Sequence, residues 1–198
     1  MDDSVRQALA KWPNVPHCYG WLALDARGAF RMRDDAAQAA HSPGDIIRHP
    51  ALLGFIYRNY SWDERGAWYF QNGPQRVYVE LEATPFVART DPMQEFIVHD
   101  GAPLGELQHV YLTNDGRLLL QTAGKLAMLD DRDLAQCLPQ LSIDQQSIDD
   151  SRLLSWLDAP SEALQLHLQS KTLDVEWVDA ETLEQRFGFV ARPSKLAR

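Results

Sequence analysis

Two carboxylates, Glu80 and Glu82 in the stretch RVYVELEA, are the first residues of this chain that could do chemistry. Their spacing of two puts both on one face of an extended strand, close enough to raise each other's pKa where water is excluded. Such a pair could work as acid and base, with the imidazole of His99 in VHDG as a third group. Against this, the chain offers them no nucleophile and no residue to orient a base, and the same spacing describes the wet face of an antiparallel sheet. Arg76, Arg89, Arg58 and Arg48 could converge on a phosphate or carboxylate through bidentate contacts. Each could equally pair with local acids, among them Asp63 and Glu64.

The other chemistry-bearing residues form no motif. His17, His41, His49, His99, His109 and His167 are scattered singly, with no paired spacing that would hold a metal. Cys18 and Cys137 are too far apart for a metal knuckle or a redox pair and read as small apolar residues in a reducing compartment. No serine sits in a Gly-x-Ser-x-Gly elbow. The one Gly-Lys, in AGKLA at 123–127, lacks the preceding glycine and the following hydroxyl residue of a phosphate loop. The expectation is no metal and no cofactor.

The elements that must position these residues are hairpins. LDARGAF (24–30), WDERGAWYF (62–70) and TNDGRLLL (113–120) each place a glycine in a short polar turn between apolar strands. Val77, Val79 and Leu81 alternate with Tyr78, Glu80 and Glu82, so one face of that strand should be buried and the other wet. Trp62 and Trp68 flank a turn and, with Tyr57, Tyr60, Tyr69 and Phe70, concentrate aromatic surface in one helix–hairpin unit; Trp62 joins the ligand-contacting candidates. Helices are expected at the N-terminus (Val5, Leu9, Trp12), from Pro50 onward, in DDRDLAQCLPQL, over the polar stretch 141–162 and in DAETLEQRF. Residues 34–45 read as an exposed connection and 90–106, with prolines and glycines around FIV, as a domain junction.

The order hairpin, helix, hairpin occurs twice. The fold class that follows is α+β, with two sequential, topologically related domains of antiparallel hairpins and packed helices, residues 1–95 and 96–198. An acidic helical insert falls in the second. With 198 residues, of which 45% are hydrophobic, each half can bury a core. The net charge of −9 argues against a nucleic-acid duplex or an anionic membrane surface as partner, and the split, −2 over residues 1–98 and −7 over the rest, places the acidity in the second half. No stretch has the length of a membrane span or the character of a signal sequence, which suggests a cytoplasmic protein.

Residues 19–110 resemble an uncharacterised bacterial family, a domain of unknown function of the 1285 family or a sister of it. The residues that carry this are PALL at 50–53, Arg76 ahead of its strand, Glu80 and Glu82 on one face of it, and PF at 85–86. The chain departs from the family at Ala83, where an acid is usual, and at NGPQ, which replaces a Pro-hydrophobic-Glu segment. The resemblance implies a duplicated core, a second domain similar to a pleckstrin-homology fold, and a small-ligand site between the domains. Taken together, the expected function is a non-catalytic cytoplasmic binding module in regulation or signalling, recognising a small anionic or nucleotide-like ligand. Arg76, Glu80, Glu82, Arg89, His99 and Trp62 are its candidate contacts. Two alternatives stand beside it: a protein-interaction module working through the acidic half, and a hydrolase-like enzyme using Glu80, Glu82 and His99.

Overall fold

The computed structural model describes residues 1–195 and divides into two compact units, residues 1–85 with the returning segment 188–195, and residues 86–187. In the first, the helix α1 (Asp3–Lys11) precedes the strands β1 (Cys18–Leu24) and β2 (Phe30–Met32). A short helix α2 (Asp35–Ala39), the strand β3 (Asp45–Ile46) and the helix α3 (Pro50–Arg58) follow, then β4 (Tyr60–Trp62), β5 (Trp68–Asn72) and β6 (Gln75–Leu81). They form one six-stranded sheet in the order β3-β2-β1-β6-β5-β4.

Each half of this sheet is a meander with local antiparallel pairs, and the two meanders are joined by the parallel pair β1·β6. That pairing sets Leu22 against Val79 and Leu24 against Leu81, so their apolar side chains share one face. Phe30, Ile56, Trp68 and Phe70 complete this core, with α3 laid across it through Phe55, whose ring meets Phe70 edge-on at 5.3 Å. Pro50 suits the first turn of α3, and His49 caps it by accepting the Leu52 N–H. Fully burying a side chain such as Phe30 contributes about 2–3 kcal/mol.

The second unit contains β7 (Phe86–Asp91), β8 (Glu95–Val98), β9 (Leu107–Thr113), β10 (Leu118–Thr122) and β11 (Leu126–Leu129). The short helix α4 (Leu134–Cys137), flanked by single 3-10 turns, leads to β12 (Leu141–Ile143), β13 (Gln146–Ser147), α5 (Asp150–Asp158), β14 (Leu164–His167), β15 (Thr172–Val178) and α6 (Leu183–Phe187). Its sheet runs β13-β12-β14-β15-β9-β10-β11-β7-β8. Within it β11-β10-β9-β15-β14-β12 repeats the order of the first sheet strand for strand, again with the first and last strands of the repeat, β9 and β15, paired in parallel. The protein is α+β with two topologically related units. No helix among the described residues is long and apolar enough to cross a membrane.

Several expectations change. The units divide between Pro85 and Phe86, not at 95/96, because β7 pairs with β11 and β8 inside the second unit; the stretch 90–106 is a hairpin and its covering loop, not a junction. Segment 188–195 belongs to the first unit, where Val190 pairs with Ala67. Pairing is not antiparallel throughout, since alternation reports which face is buried and carries no information on strand direction. Residues 141–147 are a small hairpin and only 150–158 are helical, while 34–45 holds α2 and β3.

The repeated turns have a common construction. Asp25 Oδ1 accepts the N–H groups of Arg27 and Ala29, and Asp63 Oδ1 those of Arg65 and Ala67, so one carboxylate closes each loop while Gly28 and Gly66 take φ near +80°. Thr113 Oγ1 does the same for Arg117, with Gly116 at φ 84°. Gly66 carries a second constraint, because a Cβ there would lie 1.9 Å from the carbonyl oxygen of Gly188. Gly66→Ala should therefore cost well over the roughly 1–2 kcal/mol of left-handed strain that Gly116→Ala pays, since Gly116 faces open space. Urea denaturation of the two variants measures the difference; equal losses would show that the returning segment does not bear on Gly66.

Candidate functional site

The apolar face of β6 looks into the core, so its other face is where chemistry can collect. Arg76, Tyr78, Glu80 and Glu82 follow one another on that face by the alternation of the strand. The neighbouring strands add to it by register: Ala23 lies beside Glu80, Arg31 beside Ala23, Tyr69 beside Tyr78 and Gln71 beside Arg76. The expectation that Glu80 and Glu82 share a face therefore holds. A wholly wet face does not, because Tyr78 is only 2% exposed and Tyr69 beside it is also buried.

At the Glu80 end the face sinks into a hollow of about 630 Å³. Ala23, Leu24 and Leu81 form part of its lining, and Arg31, Arg33, Glu80, Glu82 and Arg192 bring charges of both signs to it, with His41 and Ser42 alongside. Most of these charges are already matched. Arg31 Nε binds Asp25 Oδ2 at 2.7 Å and Arg33 forms an ion pair with Glu80. Glu82 accepts the Ala26 N–H at 3.0 Å. Arg192, an exposed residue of the returning segment, has no ion-pair partner among the described residues.

At the Arg76 end the face is aromatic. Tyr19 stacks on Tyr78 with ring centroids 4.6 Å apart and planes 5° from parallel, while Tyr69 and His17 meet Tyr78 edge-on, each at 5.8 Å. The Tyr78 hydroxyl donates to Asp63 Oδ2 at 2.9 Å, and the Arg65 guanidinium binds the same carboxylate at 2.8 Å. Burial alone would push the Asp63 pKa up. The hydrogen bonds from Arg65, the Ala67 N–H and Tyr78 outweigh it and hold Asp63 below the ordinary carboxylate value of 3.8. Burial, with the arginines at 76 and 65, pulls the His17 pKa down.

The other candidates are engaged locally. Trp62 packs against Trp68 at 5.0 Å and remains 57% exposed. Arg58 binds Asp2, so the four arginines read together from sequence do not act as one group. Arg89 and His99 lie in the second unit, where Arg89 approaches Asp133 at 3.7 Å and His99 Nδ1 accepts the Val87 N–H at 3.1 Å with its ring stacked on Phe86. Among the described residues no group of three or more His, Cys, Asp or Glu side chains could hold a metal. Sequence reasoning missed Arg31 and Arg33, although their spacing of two repeats that of Glu80 and Glu82. It missed Asp63 as the anchor of Tyr78, and for Arg192 there is no signal, since a tail residue reaches the site only through the fold.

Comparison with known proteins comes down to two findings. The model of the family DUF2944, described as "Protein of unknown function (DUF2946)", matches residues 1–194, extending the expected kinship with an uncharacterised family from part of the chain to nearly all of it. A crystal structure of a DUF1285 family protein from Silicibacter pomeroyi DSS-3 is similar at 16% identity and a TM-score of 0.49, over 89% of each chain. Among curated proteins none matches.

The depressed Asp63 pKa fixes a pH dependence. A carboxylate with a lower pKa folded than unfolded stabilises the native state above about pH 4 and loses that contribution as pH falls through its folded value. Asp63→Asn should cost about 1–3 kcal/mol at pH 7, and the gap to the wild type should narrow as the pH falls below about 4. Urea midpoints across that range test this, and a gap independent of pH would mean that the Asp63 charge adds nothing.

Proposed function

The chain belongs to the DUF2944 family of proteins of unknown function, and on the chemistry of its own residues we propose that it is a non-catalytic binding module taking a small polar ligand in the hollow beside Glu80 and Glu82. The observation that carries this reading is the hollow itself: about 630 Å³, with Ala23, Leu24 and Leu81 in part of its lining and guanidinium and carboxylate groups around it. That volume is within the roughly 300–1,000 Å³ of small-molecule sites. A ligand with an anionic group for Arg192 and hydroxyl or ammonium donors for Glu82 matches the lining. Such a ligand would be anionic or zwitterionic.

The absence of catalysis in this reading rests on how the acids are used. Glu80 is held by Arg33 and Glu82 by a backbone N–H, so both carboxylates already have partners within the protein. His99 belongs to the other unit and already accepts a backbone hydrogen bond. A binding unit without an activated group suits a regulatory or signalling protein. A cytoplasmic setting fits the two free cysteines, one of them fully buried with its pKa pushed up to about 12 by burial. The shared strand order of the two units supports an origin by duplication of one domain.

Thermal-shift measurement against a panel of nucleotides, sugar phosphates and amino acids tests the reading. A true ligand at about one hundred times its Kd should stabilise the protein by roughly 2.7 kcal/mol. Arg192→Ala should abolish that rise while the ligand-free melting temperature stays nearly unchanged, because the side chain is exposed and unpaired. A flat response over the panel, or an equal rise in Arg192→Ala, would overturn it.

A further inference from the structure

The aromatic end of the β6 face holds a charge that the fold leaves unmatched. Arg76 is only half-exposed, and its guanidinium lies over the Tyr69 ring at 4.5 Å. Among the described residues it has no carboxylate partner. Asp63, the acid in reach, is committed to Arg65, to Tyr78 and to the two backbone N–H groups of its own turn. Arg65 and Arg76 set against Asp63 leave one positive charge around a single tyrosine, in a chain whose net charge is −9.

Stacking on Tyr69 offsets part of the cost of partly burying that cation, but it uses the face of the guanidinium and not its edge. Five N–H donors lie in the plane of an arginine, and those of Arg76 meet no carboxylate among the described residues. His17 sits against the same Tyr78 ring, with a pKa lowered by burial and by both arginines, so at neutral pH it is an uncharged imidazole able to donate one hydrogen bond. The Arg76 edge, the part of the Arg65 guanidinium not turned to Asp63 and the His17 imidazole gather around Tyr78, a donor set suited to a tetrahedral oxyanion, and the Tyr19 ring stacked on Tyr78 and the Tyr69 ring set edge-on to it pack the group together before binding.

We propose that Arg76, Arg65 and His17 form a second binding site, separate from the hollow that Arg192 lines, for one oxyanion group of the phosphate class. The anion would replace the repulsion that His17 feels from the arginines with attraction, so occupation should raise the His17 pKa. A purely structural role for Arg76 would leave that titration untouched.

The test is an NMR titration of the His17 ring with inorganic phosphate and, separately, with glycerol phosphate, at constant ionic strength in chloride. The expected result is a saturable shift, a higher His17 titration midpoint at saturation, and binding at least about tenfold weaker in Arg76→Gln. Arg76→Lys, which keeps the charge and loses the fork, should fall between them and serves where Arg76→Gln fails to fold. Arg192→Ala should bind as the wild type does, which keeps this result independent of the hollow. Tighter binding of the ester would assign the site to a phosphorylated small molecule, and tighter binding of inorganic phosphate to the free ion. No saturable shift with either, equal affinity in Arg76→Gln, or loss of binding in Arg192→Ala would overturn the proposal.

Discussion

Pairing β1 with β6 in parallel is the constraint on which the first unit depends, because it joins two meanders that are otherwise held only by neighbouring turns. Parallel partners cannot be linked by a tight turn, so the chain between them must carry a helix and a whole second meander before it returns. The return is favoured by what it buries: Leu22, Leu24, Val79 and Leu81 come together under α3 with Phe30 and Phe70. The same register fixes the opposite face. Once Leu24 is set against Leu81, Glu80 must stand beside Ala23, with Arg31 on the far side of Ala23, and the hollow follows from the core.

The returning segment is the second element of that arrangement. The Val190 N–H bonds the Gly66 carbonyl and the Leu81 N–H bonds the Ala191 carbonyl, which ties a stretch more than a hundred residues away in sequence to the turn before β5 and to the end of β6. Glycine at 66 serves both the turn and this approach. Val190 packs against the cluster of Ala67, Tyr69 and Tyr78, while Arg192 reaches the hollow. The aromatic end and the charged end of one strand face thus both receive side chains from a single short segment.

What could be read from the sequence was local. Asp, Arg, Gly and Ala at fixed offsets in LDARGAF and WDERGAW specify a turn because the Asp side chain bonds its own loop, and the period of two in VYVEL specifies a half-buried strand. Both signals lie within a few residues of what they determine. The parallel pairs, the division at Pro85 and the assignment of segment 188–195 depend on contacts between distant residues that leave no periodic trace. The arginines show the same limit: all four read alike from composition, yet Arg58 and Arg89 meet acids and Arg76 meets a tyrosine. Which partner each finds is set by register.

The second unit supplies a contrast built on the same strand pair. The first and last strands of its repeated set, β9 and β15, also gather a tyrosine, a histidine and an arginine: the Arg186 guanidinium lies over Tyr111 at 5.0 Å, and His109 stacks on the same ring. There the register brings Glu176 beside Tyr111, so Arg186 binds its carboxylate at 2.8 Å and His109 approaches it at 3.5 Å. The acid is supplied by the closing strand and matches the arginine's charge. In the first unit the closing strand puts Tyr78 beside the aromatic group, and the local acid, Asp63, is held in a turn and shared with Arg65. One topology therefore yields a charge-matched cluster in one unit and an unmatched cation in the other, and the difference rests on which residue the closing strand presents to the aromatic face.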